Sequence, residues 1–452
     1  MAPRTAPPRL RDLLTLAWPM IVSRSTQSII GLSDALLIAH LGQTQLAAVT
    51  AGALNAFAAM IFPMGVVFIV SSFSSQLAGR RDFVAARRYG WYGLGVAFAA
   101  EGLALAVLPG VRPALQALGY DPAVTEAFHA YLVIRLLSTG PAVGIEALGN
   151  YYGGLGNTSI LMRANVTAMV LNVGLNWLLI DGHLGLPALG VRGSALASLL
   201  ATLTAFLGFL VAFLRNGRRF PAPKLHWPEF GRMLKFGLPS GLNWSFEFFA
   251  FVVFINVVVG GLGTLSLAAM MTVFQVNSIS FLPAFGLSSA GAILVGQAIG
   301  AGRPNRVPAI AWLTVRTAAI WMGAIGLLYW FVPRWLLIPF TPGGDAAGAF
   351  MTLAPQLLAL SALWQIFDGI GLTYSEALRA AGDTSFPMWA RGFIAWGIFL
   401  PGSWISVRRL GGGEQTAVAW LLVYLGLLAL ALVLRFRHGA WRRIRLVDHP
   451  PA

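Results

Sequence analysis

Ser240, Asn243 and Glu247 stand three and four residues apart inside the apolar run 238–251. A helix puts residues at that spacing on one face. A carboxylate near the centre of a membrane helix costs about 2.5–3.5 kcal/mol even on the lenient insertion scale, so Glu247 is expected to face protein or a water-filled cavity. Ser361, Gln365 and Asp368 form a second face of the same kind. If Glu247 and Asp368 face each other, the two carboxylates can hold and release a proton or a small cation.

Two more carboxylates lie inside apolar runs. Asp34 shares a helical face with Arg24, Gln27 and Gly31. About 15 Å of helical rise separates Arg24 from Asp34, too far for a direct pair. Asp34 is either a protonatable cavity carboxylate or a helix-end residue reaching water just before His40. Glu101 and Arg135 fall at matched depth in expected antiparallel neighbours and read as a structural ion pair, with part of a proton path as the alternative. Asn165, Asn172 and Asn176 share a face, and Gln275, Asn277 and Ser278 cluster further on. Such amides either line a cavity or bind helices together. Trp244 and Phe248 could offer π faces to an organic cation.

The elements that must position these groups are membrane helices. The chain has 452 residues, 57% hydrophobic and 10% charged, with a mean hydropathy of +0.73. Soluble domains carry roughly 25% charged residues. About 20 apolar residues span a bilayer. Twelve such spans fit, near 13–39, 46–73, 89–108, 127–148, 160–180, 193–214, 233–258, 265–295, 311–332, 348–376, 386–406 and 416–436. The fold class is therefore an all-α polytopic membrane protein. Its expected parts are a tail (1–12), a six-helix lobe (13–214), a linker (215–231), a second six-helix lobe (232–436) and a basic tail (437–452).

With the N-terminus taken as one side, 23 Lys and Arg lie on that side and five on the other. The positive-inside rule then puts both termini and the linker in the cytoplasm. This accounts for the net charge of +15 without nucleic acid. Lys224 and Lys235 are the only lysines, a hint of GC-rich coding and a bacterial source, and the expected location is the bacterial inner membrane. The chain has no cysteine, which excludes disulfides and thiolate metal sites. It has no Walker A loop, no HExxH and no patterned Ser-His or Cys-His set, so neither ATP drive nor an intramembrane enzyme is expected.

The two halves repeat. Leu41-Gly42 followed by Leu46-Ala47-Ala48 matches Leu262-Gly263 followed by Leu267-Ala268-Ala269, and Gln76-Leu77-Ala78-Gly79 matches Gln297-Ala298-Ile299-Gly300. Trp18-Pro19 matches Leu238-Pro239, Pro63-Met64-Gly65 matches the 283–286 run, and Gly156-Asn157-Thr158-Ser159 matches Gly382-Asp383-Thr384-Ser385. Matches in the same order, at offsets of 220 to 226 residues, indicate duplication. Two six-span repeats of like orientation should relate by a pseudo-two-fold axis along the membrane normal, with a substrate site near the midplane.

Taken with Gly31-Leu32-Ser33-Asp34, Gly154-Leu155-Gly156-Asn157-Thr158, Asn172-Val173-Gly174-Leu175-Asn176, the 185–195 run and Val295-Gly296-Gln297-Ala298-Ile299-Gly300, residues 11–436 resemble the multidrug and toxic compound extrusion (MATE) transporters, in particular the NorM-type branch. The resemblance implies alternating-access exchange of H⁺ or Na⁺ for amphiphilic organic cations, with no cofactor and a monomeric chain in lipid. It places the coupling carboxylates at Glu247, Asp368 and Asp34. It implies a cavity drawing on Gln27, Asn172, Asn176, Asn243, Trp244, Gln275, Asn277 and Trp364. Trp364 stands where the branch often has a tyrosine proposed as a cation ligand. An indole has no oxygen, which favours H⁺ over Na⁺. Asn176 stands where another branch has a second aspartate, so a two-aspartate proton site is not expected there. The alternative is a flippase of the same superfamily moving lipid-linked sugars, for which Arg24 and Arg135 would supply anion-binding charge.

Overall fold

The structure is a computed structural model that describes residues 9–117, 119, 121–217, 224–344 and 346–447. Most of the expected N-terminal tail, the middle of the 215–231 linker and the end of the basic tail lie outside these residues.

The described chain is helical. The first half runs α1 (Leu10–Ala39), α2 (Gln43–Val67), α3 (Ile69–Arg80), α4 (Phe83–Ala117), α5 (Pro122–Leu136), α6 (Thr139–Gly154), α7 (Thr158–Ile180) and α8 (Gly190–Gly217). The second runs α9 (Trp227–Val253), α10 (Thr264–Gly300), α11 (Val307–Phe331), α12 (Pro333–Leu337), α13 (Ala346–Ala381), α14 (Ser385–Gly392), α15 (Leu400–Trp404) and α16 (Glu414–His438). Among the described residues nine helices, some joined end to end, are long and apolar enough to cross a membrane, and the bent pair α5 and α6 makes a tenth. The other two spans of the twelve are α1, which carries Arg24 at its middle and Asp34 nearer its end, and the run from α14 to Arg409, which is interrupted by π-helical turns at Phe393–Phe399 and Ile405–Arg409.

The sequence explains the breaks. Between α5 and α6 the axis bends by 42°. There the Ser138 hydroxyl donates to the Arg135 carbonyl at 2.6 Å and Thr139 to Leu136 at 2.7 Å. Hydroxyls that take carbonyls in this way bend helices. Asp121 caps α5 through the Ala123 N–H at 2.9 Å, with Pro122 in the first turn.

The repeat is visible in backbone conformation. Gly42 and Gly263 precede α2 and α10 with φ of 116° and 117°, both with ψ of 170°. Gly302 turns the chain after α10 at φ 70°, and its counterpart after α3 is Arg81 at φ 63°. The first half thus uses a non-glycine residue in the left-handed region where the second uses glycine.

The expected two-lobe division differs in one respect. Contacts divide the chain into residues 22–241 and a second unit made of the start of the chain up to Ile21 with Leu242 onward. The boundaries fall inside α1 and α9, not at the linker. Leu13, Ala17 and Met20 at the start of α1 pack on Leu287, Ala290 and Ile293 of α10. At the start of α9, Gly237 and Gly241 lie against Val66 and its neighbours, so close that a side chain at either position would collide. Each of these two helices therefore begins in one unit and ends in the other.

Candidate ion and substrate site

In the unit formed by residues 22–241, Asp34 is buried at the centre of a polar ring. The Asn176 amide donates to Asp34 Oδ1 and, at 3.1 Å, to Asn172 Oδ1. Asn172 donates to Ser198 Oγ at 3.0 Å, and Ser198 Oγ lies 3.5 Å from Asp34 Oδ2. The fourth-residue spacing of Asn172 and Asn176 on α7 brings both amides to one carboxylate. These amides serve one another and Asp34. Asn165, on the same face, donates to Ser23 Oγ at 2.6 Å.

The expected Glu101–Arg135 pair does not form. Glu101 Oε2 instead accepts the Gly140 N–H at 2.6 Å. The first N–H groups of a helix lack intrahelical partners and favour a carboxylate. The bend before α6 exposes this one, and a Cβ at Gly140 would sit 2.8 Å from the Glu101 side chain, so only glycine admits the approach. Arg135 Nη1 donates to Ser138 Oγ at 3.3 Å, and the guanidinium lies within electrostatic reach of Asp34. Arg24 pairs with Glu146 at 2.9 and 3.2 Å. Glu146, near the end of its span, was not singled out in the sequence because it could be taken for a helix-end residue.

In the other unit, Glu247 on α9 and Asp368 on α13 line the same cavity, of about 340 Å³. Its walls are largely apolar and include the aromatic rings of Phe251, Phe274, Phe281 and Trp364. Trp364 is buried and stacks on Phe274 with centroids 6.3 Å apart. A smaller cleft of about 40 Å³ shares Glu247 and Asp368 and adds Asn243 and Trp244. Asn277 reaches the larger cavity but is held by Ser361 at 3.1 Å and by the Gln365 amide. Gln365 in turn accepts from Ser280 at 2.8 Å.

Four of the expected cavity residues therefore line these spaces: Asn243, Trp244, Asn277 and Trp364. The others do not. Asn172 and Asn176 are buried in the Asp34 ring. Gln27 is exposed on α1, and Gln275 is exposed on α10 because two residues of helix turn it away from Asn277.

One residue of this site escaped the sequence reading. Arg391, on α14, is buried, and its guanidinium pairs with Glu247 Oε1. Its Nε donates to Asn243 Oδ1 at 3.0 Å. Asn243 and Glu247, one turn apart on α9, present two acceptors to one guanidinium fork. Its signal was available: Arg391 is a lone charge in an apolar run, 226 positions after Asn165, the offset of the Gly156 and Gly382 match.

The fold is helical and apolar enough to cross a membrane, and it buries polar and ionised groups inside its spans, as a membrane transporter does. The chain belongs to the MatE family, whose model matches residues 19–178 and 239–405. Among curated proteins it is 30% identical to the "Probable multidrug resistance protein NorM" of Rhizobium meliloti, over 99% of this chain and 96% of that one. It is 29% identical to the "Multidrug resistance protein NorM" of Burkholderia vietnamiensis, over 96% and 95% of the two chains. Among solved structures, one described as an outward-facing conformation of a multidrug resistance MATE family transporter aligns at a TM-score of 0.84 with 19% identity, covering 96% of each chain. A MATE in complex with MaL6 aligns at 0.86 with 19% identity over 96% of this chain and 97% of that one. Solved structures of this family have twelve membrane helices in two bundles, the architecture expected from the sequence.

Proposed function

We propose that this MatE-family transporter expels amphiphilic organic cations from the cell in exchange for an inward-moving cation, H⁺ in preference to Na⁺. The observation that carries this reading is the cavity in the second unit. It combines two intramembrane carboxylates, Glu247 and Asp368, with aromatic rings in its walls. An organic cation finds there both a counter-charge and π faces. A volume of about 340 Å³ falls in the range of small-molecule pockets. The multidrug resistance names of the relatives support the same substrate class.

The cycle is alternating access. Ion binding at Glu247, Asp368 or Asp34 shifts the balance between inward-open and outward-open states, and substrate shifts it back. A ligand moves that equilibrium only by its differential affinity for the two states. Trp364, which offers no oxygen, supports H⁺. The chain works as a monomer in the bacterial inner membrane with both termini in the cytoplasm, in line with the charge asymmetry of its loops.

The flippase alternative gains nothing from the cations. Arg24 is bound to Glu146, and Arg135 is held at Ser138 beside Asp34, so both are engaged inside the protein. Drug susceptibility of cells lacking their own efflux pumps separates the two readings. Expression should raise resistance to cationic dyes and antiseptics. Unchanged resistance together with altered envelope assembly would favour the flippase.

A further inference from the structure

The exchange proposed above does not use Arg391. The groups facing its guanidinium come from three helices: Glu247 and Asn243 from α9, Asp368 from α13 and the Tyr424 hydroxyl from α16. The corresponding contact in the first half links Asn165 to Ser23, at 2.6 Å. Offsets of 226 and 220 residues carry those two positions to Arg391 and Asn243. Both halves build the same helix-to-helix contact, but only the second half builds it with a permanent cation.

Arginine has five donors, no acceptor, and stays charged at any working pH. At this position it has two consequences for a carboxylate pair. It occupies Glu247 Oε1 and Asn243 Oδ1, two of the oxygens nearest the carboxylate pair. Hard metal cations are held by oxygen ligands. It also sets a fixed positive charge where a second cation would have to sit. Trp364 adds no oxygen to replace those taken. A proton needs only one lone pair, and Asp368 retains it.

We infer that Arg391 is a resident counter-cation that leaves the Glu247–Asp368 pair with one exchangeable carboxylate and makes the site select H⁺ over Na⁺. The inference deepens the exchange reading and rests on it. Arg391 is thus a specificity-determining residue that acts through the carboxylates. The Glu247 side chain is 44% exposed, so an organic cation entering the cavity can compete with Arg391 for it.

The test uses the purified full-length protein and reads equilibrium binding of radioactive Na⁺ beside dye efflux from proteoliposomes under H⁺ or Na⁺ gradients. Wild type and Arg391→Lys should bind no Na⁺ saturably and run on H⁺. Arg391→Gln should bind Na⁺ saturably, lose that binding when Glu247→Gln is added, and raise the ratio of Na⁺-driven to H⁺-driven efflux by about tenfold or more. Arg391→His should exclude Na⁺ at about pH 6 and admit it at about pH 8.5, where imidazole is neutral. It serves as the second variant if Arg391→Gln does not fold. Saturable Na⁺ binding by wild type, or variants that still exclude Na⁺ once the charge is gone, would overturn the inference. Wild type moving dye on neither gradient would refute the exchange reading instead, and the Na⁺-binding arm would still judge Arg391.

Discussion

Arg391 Nε donates to Asn243 Oδ1 at 3.0 Å, one helical turn from the Glu247 carboxylate with which the same guanidinium pairs. The carboxylate that the sequence offers as an open ion site is therefore already engaged. What enters the cavity, whether proton or organic cation, acts on a three-charge cluster with a net charge of −1 when both carboxylates are ionised. This relationship shapes the predictions for the second unit.

The aromatic wall should set substrate affinity. Trp364 lies in the cavity wall, stacked on Phe274. Its replacement by alanine removes one π face, worth about 1 kcal/mol to a bound cation. Half-saturation of efflux for an aromatic cation should rise about fivefold, with less effect on the maximal rate. Trp364→Phe should recover most of the affinity. Initial-rate measurements over a dye concentration series check both.

The Asp34 ring should separate coupling from stability. Asp34→Asn keeps the shape but removes the charge, so a folded transporter with impaired coupled efflux is expected. Asn176→Leu removes the amide that reaches both Asp34 and Asn172. Leaving those buried acceptors unserved costs about 1–3 kcal/mol. Thermal unfolding in detergent should fall clearly for Asn176→Leu and much less for Asp34→Asn.

The Arg24–Glu146 pair gives a test of its own. With 16% and 5% of the side chains exposed, it is largely out of water. Removing one partner strands the other at a cost of about 3–5 kcal/mol. Glu146→Ala should therefore be strongly destabilised. The double change Arg24→Met with Glu146→Leu should regain most of the loss. Unfolding midpoints of wild type and the two variants decide the matter.

Two glycines should respond in opposite ways to alanine. A Cβ at Gly154 would meet the Ser74 side chain and the backbone of Ser71 and Ser75 within 2.9 Å, and backbone cannot step aside cheaply. Gly154→Ala should cost about 1–3 kcal/mol. A Cβ at Gly174, mid-helix in α7, would meet nothing within 4 Å. Gly174→Ala should gain up to about 1 kcal/mol from helix propensity. Equal behaviour of the two in thermal unfolding would contradict the packing described here.

Much of the architecture was legible because the bilayer enforces it. Span length and loop charge follow from solvent physics, and the duplication could be read from glycines such as Gly42 and Gly263 that keep the same backbone conformation. Placing Glu247 and Asp368 on polar faces needed only helical periodicity. Partner choice was harder to read. Glu101 and Arg135 match in depth, but depth says nothing about the bend that offers Gly140 N–H to Glu101. Arg24 turned to Glu146, a residue that looked like a helix end. Arg24, Arg135 and Arg391 all lie inside spans, and the partners of the last could not be read because they come from a helix 148 residues earlier at Asn243. The expected boundary at the linker also missed the crossing of α1 and α9 between units, which depends on packing at Leu13, Ala17 and Gly237 and leaves no periodic trace.

The most direct measurement is coupled efflux from proteoliposomes loaded with a fluorescent cation, under an imposed proton gradient, for wild type, Glu247→Gln and Asp368→Asn. The account predicts proton-driven efflux by wild type and its loss in both variants, with folding intact by thermal unfolding. Efflux that persists at wild-type rate in both variants would contradict it and move coupling to Asp34.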